Sequence, residues 1–157
     1  MATINRFEEL DTWKEARILH QMILPLFDLL IDRREYKLVD QLRGSCGSAM
    51  DNIAEGFERG NRKEFILFLG YAKDSVGEIK SQLYRILDTG YISTSEFDKL
   101  FQQADKIGKM IYGLSKHLNN SSVKGLRYQN SVKESINSSE EDTQDLMSLI
   151  ETYIPES

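Results

Sequence analysis

Polar residues recur every three or four positions along residues 41–59, which places them on one side of a predicted helix. This polar row consists of Gln41, Ser45, Ser48, Asn52, Glu55 and Arg59. A neighbouring row with the same period is apolar and mostly small: Leu42, Cys46, Ala49, Ile53 and Gly56. Small residues let another backbone approach closely, and the polar row beside them then needs hydrogen-bond partners. The pattern therefore predicts a helix that is closely packed on this side.

The next segment repeats this design. Its apolar residues alternate steps of four and three, which predicts a third helix: Phe65, Leu69, Ala72, Val76, Ile79, Leu83 and Ile86. A polar row lies about a third of a turn away: Tyr71, Ser75, Glu78, Gln82 and Arg85. Both helices thus have an apolar row flanked on one side by polar residues.

Helical spacing of apolar residues also predicts a first helix over about 7–30, with a kink or break at Pro25. Three residue pairs give the N-terminal capping signal, an acceptor followed three positions later by a carboxylate. They are Asp32 with Glu35, Asn61 with Glu64, and Ser93 with Glu96. These pairs predict the starts of helices two, three and four. Gly90 predicts the end of the third helix, and the fourth extends to about Leu118.

Four helices joined by short loops predict an all-α, antiparallel up-down-up-down bundle over residues 1–119. After Asn119 the composition shifts to Asn, Ser and charged residues, which favours a mostly disordered, flexible acidic tail over 120–157. Within it, residues 139–154 form an amphipathic pattern with Leu146, Leu149, Ile150 and Tyr153 on one side. We expect this piece to be a short helix that docks on a partner or a neighbouring subunit, or otherwise to be disordered.

The charge distribution separates the tail from the bundle. The 157 residues carry a net charge of -5, which argues against a generally basic nucleic-acid binder. Residues 1–120 contribute 17 Lys+Arg and 18 Asp+Glu, or -1, and residues 121–157 contribute 3 and 7, or -4. The predicted bundle is therefore almost neutral, and most of the acidity lies in the tail.

Cys46 is the single cysteine, so no internal disulfide can form. Its place in the small apolar row favours a buried structural thiol over a reactive one. The first ten residues lack a signal-peptide pattern, and no apolar run reaches the ~18 residues of a membrane span. We therefore expect a cytoplasmic protein with no membrane partner.

One set of residues resembles a known family pattern: Phe7, Leu10, Trp13, Ala16, Gln41, Leu42, Arg43, Ser48, the Asn52–Gly56 stretch, Arg59, Glu64, Phe65, Phe68, Leu69, Ala72, Ser75 and Glu78. It is similar to the bacterial four-helix-bundle family whose members include proteins encoded by intervening sequences inside 23S ribosomal RNA genes. The resemblance covers about residues 7–118. It is most specific at Asn-Ile-Ala-Glu-Gly and Trp13.

The resemblance implies a left-handed up-and-down bundle that assembles as a ring, typically a pentamer. More distantly, the chain looks like the accessory protein of diversity-generating retroelements, which shares the ring and works with a reverse transcriptase and RNA. The family implies no settled activity and no catalytic residue.

The two polar rows are the first candidate site. We interpret eight of their residues as a structural or oligomer hydrogen-bond network: Gln41, Ser45, Ser48, Asn52, Glu55, Ser75, Glu78 and Gln82. The alternatives are a row of contacts to a partner, or a metal or acid/base site, because carboxylates on adjacent helices are expected near each other. Di-metal bundles use Glu-x-x-His pairs, and neither His20 nor His117 has that spacing.

The second candidate site is basic. Arg59, Arg62 and Lys63 surround Gly60 and Asn61 at the start of the third helix, where free backbone donors and the helix dipole favour an anion. The cluster is interpreted either as a solvated basic turn or as a phosphate or RNA contact. In a ring, repeated clusters would bind nucleic acid better than one.

These observations favour a non-enzymatic, ring-forming scaffold or adaptor without a cofactor or metal. Its expected partners are copies of itself and RNA, or a nucleic-acid-handling protein such as a reverse transcriptase. One alternative is a protein–protein interaction module, without nucleic acid, that uses the acidic tail. Another is a hydrolase or metal enzyme that uses Glu55 and Glu78.

Overall fold

The computed structural model describes residues 4–120 and 137–153. In these ranges a short 3-10 helix, Phe7–Glu9, is followed by five α-helices and no strand. The α-helices are α1 (Asp11–Asp32), α2 (Tyr36–Glu58), α3 (Arg62–Asp88), α4 (Thr94–Asn120) and α5 (Asn137–Glu151). The first four pack in the order α1, α2, α3, α4, with α4 returning to α1. The predicted all-α, up-down-up-down four-helix bundle is confirmed.

The apolar rows of the sequence meet in one core. The apolar row of α3 is almost completely buried from Phe65 to Ile86, and that of α2 is buried from Leu42 to Ile53. Cys46 lies within this core, and burial raises the pKa of its thiol to about 12. Desolvation penalises the thiolate, so Cys46 is a packing residue and not a nucleophile in the folded chain.

The start of α1 differs from the prediction. The helix begins at Asp11 and not near residue 7, because Leu10 is extended and separates it from the 3-10 turn. Phe7 still packs edge-on against Trp13, with 5.1 Å between ring centroids. The predicted break at Pro25 is wrong, since α1 continues through this exposed residue to Asp32.

The junction between α1 and α2 is also different. Asp32 does not cap α2, because it is the last residue of α1. Arg34 has a left-handed φ of 61°, its amide donates to Ile31 O at 2.9 Å, and the Glu35 amide donates to Leu30 O at 2.9 Å. These backbone bonds form a Schellman motif, which satisfies the last carbonyls of α1 without a side-chain cap. Helix α2 then begins at Tyr36.

The two later capping predictions are confirmed. Asn61 Oδ1 accepts hydrogen bonds from the amides of Lys63 at 3.0 Å and Glu64 at 3.2 Å. Ser93 and Glu96 form a reciprocal capping box at the start of α4, with distances of 2.8 and 3.1 Å. Helix α3 ends before Gly90, whose φ of 75° suits glycine.

Helix α5 corresponds to the amphipathic segment predicted over 139–154. It packs against the ends of α3 and α4 of its own chain, and its apolar side chains join the same core. Residues 121–136 and 154–157, which were predicted as part of a disordered tail, lie outside the described residues. Among the helices described, none is both long and apolar enough to cross a bilayer.

Candidate functional site

Helices α2 and α3 approach each other closely at Gly56. A Cβ atom at this position would lie 2.6 Å from Phe68 Cβ and 3.0 Å from a ring carbon of Phe65. The missing side chain therefore lets α3 pack against the backbone of α2. The same approach brings the two polar rows face to face.

Ser45 is the centre of the first part of the network. Its hydroxyl lies 3.0 Å from Glu78 Oε2 and 2.9 Å from Gln41 O, and it accepts a hydrogen bond of 2.9 Å from Gln82 Nε2. Arg85 Nη1 donates to Gln41 Oε1 at 2.8 Å. This part of the network thus links two residues of α2 to three of α3.

A second part lies nearer the α2–α3 loop. Ser75 Oγ is 2.9 Å from Ser48 Oγ and 3.0 Å from Tyr71 O. Asn52 Nδ2 donates to Ser48 O at 2.8 Å and to Ser48 Oγ at 3.0 Å. Two hydroxyl groups, rather than charges, therefore make the hydrogen bond between the two helices here, and the Asn52 amide supports it from within α2.

The predicted polar set divides into an inner and an outer part in the single chain. Ser45, Ser75 and Gln82 are 3%, 6% and 7% exposed. Ser48 and Asn52 are half-buried, and the remaining three residues are exposed: Gln41, Glu55 and Glu78. The helix–helix contact thus covers the inner part of the rows and leaves the outer part facing solvent.

The outer part borders a groove between α2 and α3. We call it the α2/α3 groove, and it is lined by Asp40, Gln41, Gly44, Ser45, Glu78, Ser81, Gln82 and Arg85. Gln82 Oε1 is buried in its wall and has no hydrogen-bond partner among the described residues. No heavy atom lies within 4 Å of a Cβ built at Gly44, so this part of the groove is open.

Sequence reasoning missed three residues of this groove: Asp40, Gly44 and Ser81. Asp40 and Gly44 are four residues apart and directly precede Gln41 and Ser45 on α2. Ser81 follows Glu78 by three residues. Including the residues that lie beside each polar row on the helix surface would have identified all three.

Glu55 and Glu78 do not share a site. Glu78 lies opposite Ser45, and Glu55 follows Ser45 by ten residues, which is ~15 Å along the helix axis. Glu55 instead pairs with Arg59 Nη2 at 2.7 Å. The expectation that these carboxylates lie near each other is therefore wrong. Across residues 4–120 and 137–153, no three His, Cys, Asp or Glu side chains are grouped to hold a metal ion.

The basic turn between α2 and α3 comprises Arg59, Arg62 and Lys63. The Arg59 guanidinium also lies over the Phe68 ring at 5.4 Å, and its hydrogen bond to Glu55 raises its pKa. Arg59 and Lys63 are exposed, and Arg62 is half-buried. The backbone donors expected here are not free, because Asn61 already caps two of them. Any anion at this turn is therefore held by side chains.

A family model and a solved structure match the chain. Residues 8–113 match the model of the family described as 23S rRNA-intervening sequence protein. The chain belongs to this family. No curated protein matches the chain.

A solved structure has the same architecture as this 23S rRNA-intervening sequence protein. It is a protein of unknown function from the S23 ribosomal protein family of Bacteroides thetaiotaomicron. It is 22% identical, covers 67% of this chain and 98% of its own, and aligns with a TM-score of 0.64. At this identity the similarity shows the fold alone.

Proposed function

We propose that this 23S rRNA-intervening sequence protein is a non-enzymatic scaffold whose copies assemble along the α2/α3 groove. The observation that carries the proposal is the division of the polar rows. The inner half already joins α2 to α3, and the outer half faces an open groove. Directional hydrogen bonds of this kind fix register and partner at an interface more than they add affinity.

The unpaired oxygen of Gln82 supports this proposal. A buried acceptor without a partner costs about 1–3 kcal/mol. Gln82 Oε1 is such an acceptor in the single chain, and it lies in the wall of the groove. A donor from a second copy in the groove, reached by a small rotation of the amide, would remove this cost.

Gly44 supports it independently. A glycine inside a helix is about 0.5–1 kcal/mol less favourable than alanine, and it is useful where another backbone approaches. Within the described chain nothing approaches Gly44. A second copy packed in the groove would supply that close contact.

A closed ring needs a second, different surface on each copy, because its contacts run head to tail. Helix α1 offers one: Ile18 and Met22, four residues apart on the same flank of the helix, are 42% and 36% exposed. These side chains would lose water when a neighbouring groove covers them. The resemblance described above favours five copies.

Assembly is tested by light scattering at tens of micromolar, with Gly44→Leu as the variant. A leucine there fills the groove without a clash in the single chain, so we expect the mass to fall to that of one chain. The matched control is Gly77→Leu, another helix glycine with nothing within 4 Å but outside the groove lining. A wild-type monomer, or a Gly44→Leu chain that assembles normally, would contradict the proposal.

We also propose RNA as a partner of the assembled scaffold, contacted by the basic turn. The support is the placement of three cationic side chains around one turn, which assembly would repeat in every copy. Affinity for a labelled single-stranded RNA should fall with salt, and Arg59→Gln with Lys63→Gln should reduce the salt slope. If the wild type assembles but does not bind RNA, the proposal of an RNA partner is wrong and the alternative of a protein–protein interaction module is favoured.

A further inference from the structure

Helix α5 sits on the end of the bundle in the manner of a bound peptide helix. Leu146, Leu149 and Ile150 are 1%, 7% and 5% exposed, and they follow the i, i+3, i+4 spacing of helix-in-groove recognition. Ile150 lines a small cavity together with Leu10 and Leu114 of the bundle. Three apolar anchors therefore fix which face of α5 is bound.

Polar contacts at both ends of α5 fix its position along this surface. Near its start, Thr143 Oγ1 donates to Gly60 O at 3.2 Å, and Asn61 Nδ2 lies 3.4 Å from Asp142 Oδ2. Near its end, His117 Nε2 lies 2.8 Å from Leu149 O. His117 thus satisfies a carbonyl that the last turn of a helix leaves without an intrahelical partner.

The bundle surface is also shaped for this helix. A Cβ at Gly60 would collide with the Thr143 side chain, and a Cβ at Gly113 would collide with the Tyr153 hydroxyl. Residues 137–151 contain five Asp or Glu and no Lys or Arg, and their first half lies beside the basic turn. The shape of the surface is therefore matched to this helix. We call this surface the α5 site.

We propose that the α5 site is an interface between copies, in which α5 of one copy docks on the bundle of the next. This inference extends the proposed self-assembly and rests on it. A neighbouring α5 would make the same contacts as those described, so exchange between copies loses none of them. Assembly would also hold the neighbouring α5 at high effective concentration.

The length of the connection permits this exchange. Sixteen residues, 121–136, join α4 to α5, and fully extended they could span ~50 Å. A 15-residue helix is marginal on its own in water, so α5 needs a surface to dock on. Because α5 packs on the ends of α3 and α4 and not between the four long helices, it can leave one site and enter another without unfolding the bundle.

Cross-linking between two chains that each carry one added cysteine tests the proposal. One chain carries Asn61→Cys and the other Asp142→Cys, which places the thiols at a contact of the α5 site. Cys46 is buried and will not compete. The two chains are mixed in equal amounts and treated with a short bis-maleimide. We expect a covalent product of two chains. Adding Gly44→Leu to both chains should reduce it at least tenfold, because assembly is lost.

Docking itself is checked in the full-length chain with Leu149→Asp and Ile150→Asp. These changes should abolish cross-linking, and a fluorescent peptide of residues 137–153 should bind this chain at least tenfold more tightly than the wild type. Failure of the peptide to bind would overturn the α5 site as a helix receptor. A chain that carries both added cysteines gives the opposing test. If it forms only cross-links within one chain although light scattering shows the assembly, the exchange of α5 is overturned and the assembly is not. A wild-type monomer would overturn both proposals.

Discussion

The two sides of α3 hold their neighbours by different means. Toward α2, the contact includes a buried hydrogen bond between Gln82 and Ser45 and a close backbone approach at Gly56, further along α2. Toward α4, it includes aromatic and charged groups. Tyr84 packs at 4.9 Å from Phe97, and Lys80 pairs with Asp105 at 2.8 Å near the surface.

This difference shows where α3 is most sensitive to change. Buried neutral hydrogen bonds leave a desolvated group behind when one partner is removed, whereas exposed ion pairs return to water. Aromatic packing tolerates small adjustments, but a backbone contact at a glycine does not. The α2 side therefore specifies how the helices fit together, and the α4 side mainly adds apolar area.

The largest effect is expected from Gly56→Val. The new side chain must enter the space of Phe68 Cβ, which belongs to the rigid part of α3, so the two helices have to separate. We expect the free energy of unfolding to fall by about 3 kcal/mol. Urea denaturation measures it. A loss below about 1 kcal/mol would show that the two sides of α3 are equally adaptable.

Ser45→Ala should have the next largest effect. It removes the acceptor of Gln82 Nε2 and a partner of Glu78, at a cost of about 1–3 kcal/mol. Gln82→Leu in the same chain removes the amide that Ser45→Ala leaves unpaired. A double-mutant cycle should therefore give a coupling of at least about 0.5 kcal/mol. Additive losses would mean that the hydrogen bond contributes nothing specific.

Gly77→Ala, on the outside of α3, should stabilise the chain by about 0.5–1 kcal/mol. A Cβ there meets nothing within 4 Å, and alanine has the higher helix propensity. Thermal unfolding measures the gain. Gly44→Ala should give the same gain in stability in a monomeric chain, and it should lower the mass of the assembly. A loss of stability from either substitution would contradict the conclusion that the space beside these two glycines is open.

The smallest effect is expected from Asp105→Asn on the α4 side. Hydrogen bonds from Lys109 and Lys80 lower the pKa of Asp105 to about 2. Because this pKa is depressed, the stabilisation is complete above the ordinary aspartate value near 4 and disappears as the pH falls through about 2. The carboxylate is partly exposed, so we expect a loss below about 1 kcal/mol at pH 7 that vanishes near pH 2. Urea denaturation at both pH values tests this.

The packing of α2 and α3 could be predicted because it depends on periodicity, which the order of residues contains directly. The rows centred on Ser45 and Ser75 face each other as helical spacing requires. The position of Asn61 as a cap also followed from local chemistry alone.

Features that depend on backbone geometry or on distant contacts could not be predicted in the same way. The Asp32–Glu35 capping signal failed because Arg34 adopted a left-handed conformation, which few non-glycine residues do. The ~15 Å between Glu55 and Glu78 depends on the register of two antiparallel helices, which neither polar row specifies. The contact between α5 and the bundle joins residues separated by more than 80 positions, such as Gly60 and Thr143.

The sulfur of Cys46 gives the molecule a natural reporter of opening. With a pKa of about 12, only about one thiol in ten thousand is ionised at pH 8, and burial keeps reagents away from that fraction as well. At a reagent concentration at which labelling outpaces reclosing, a colorimetric disulfide reagent would therefore react at the rate at which the bundle opens around Cys46. That rate can be followed with no added label, and it reports how often the hydrogen-bonded contact between α2 and α3 opens.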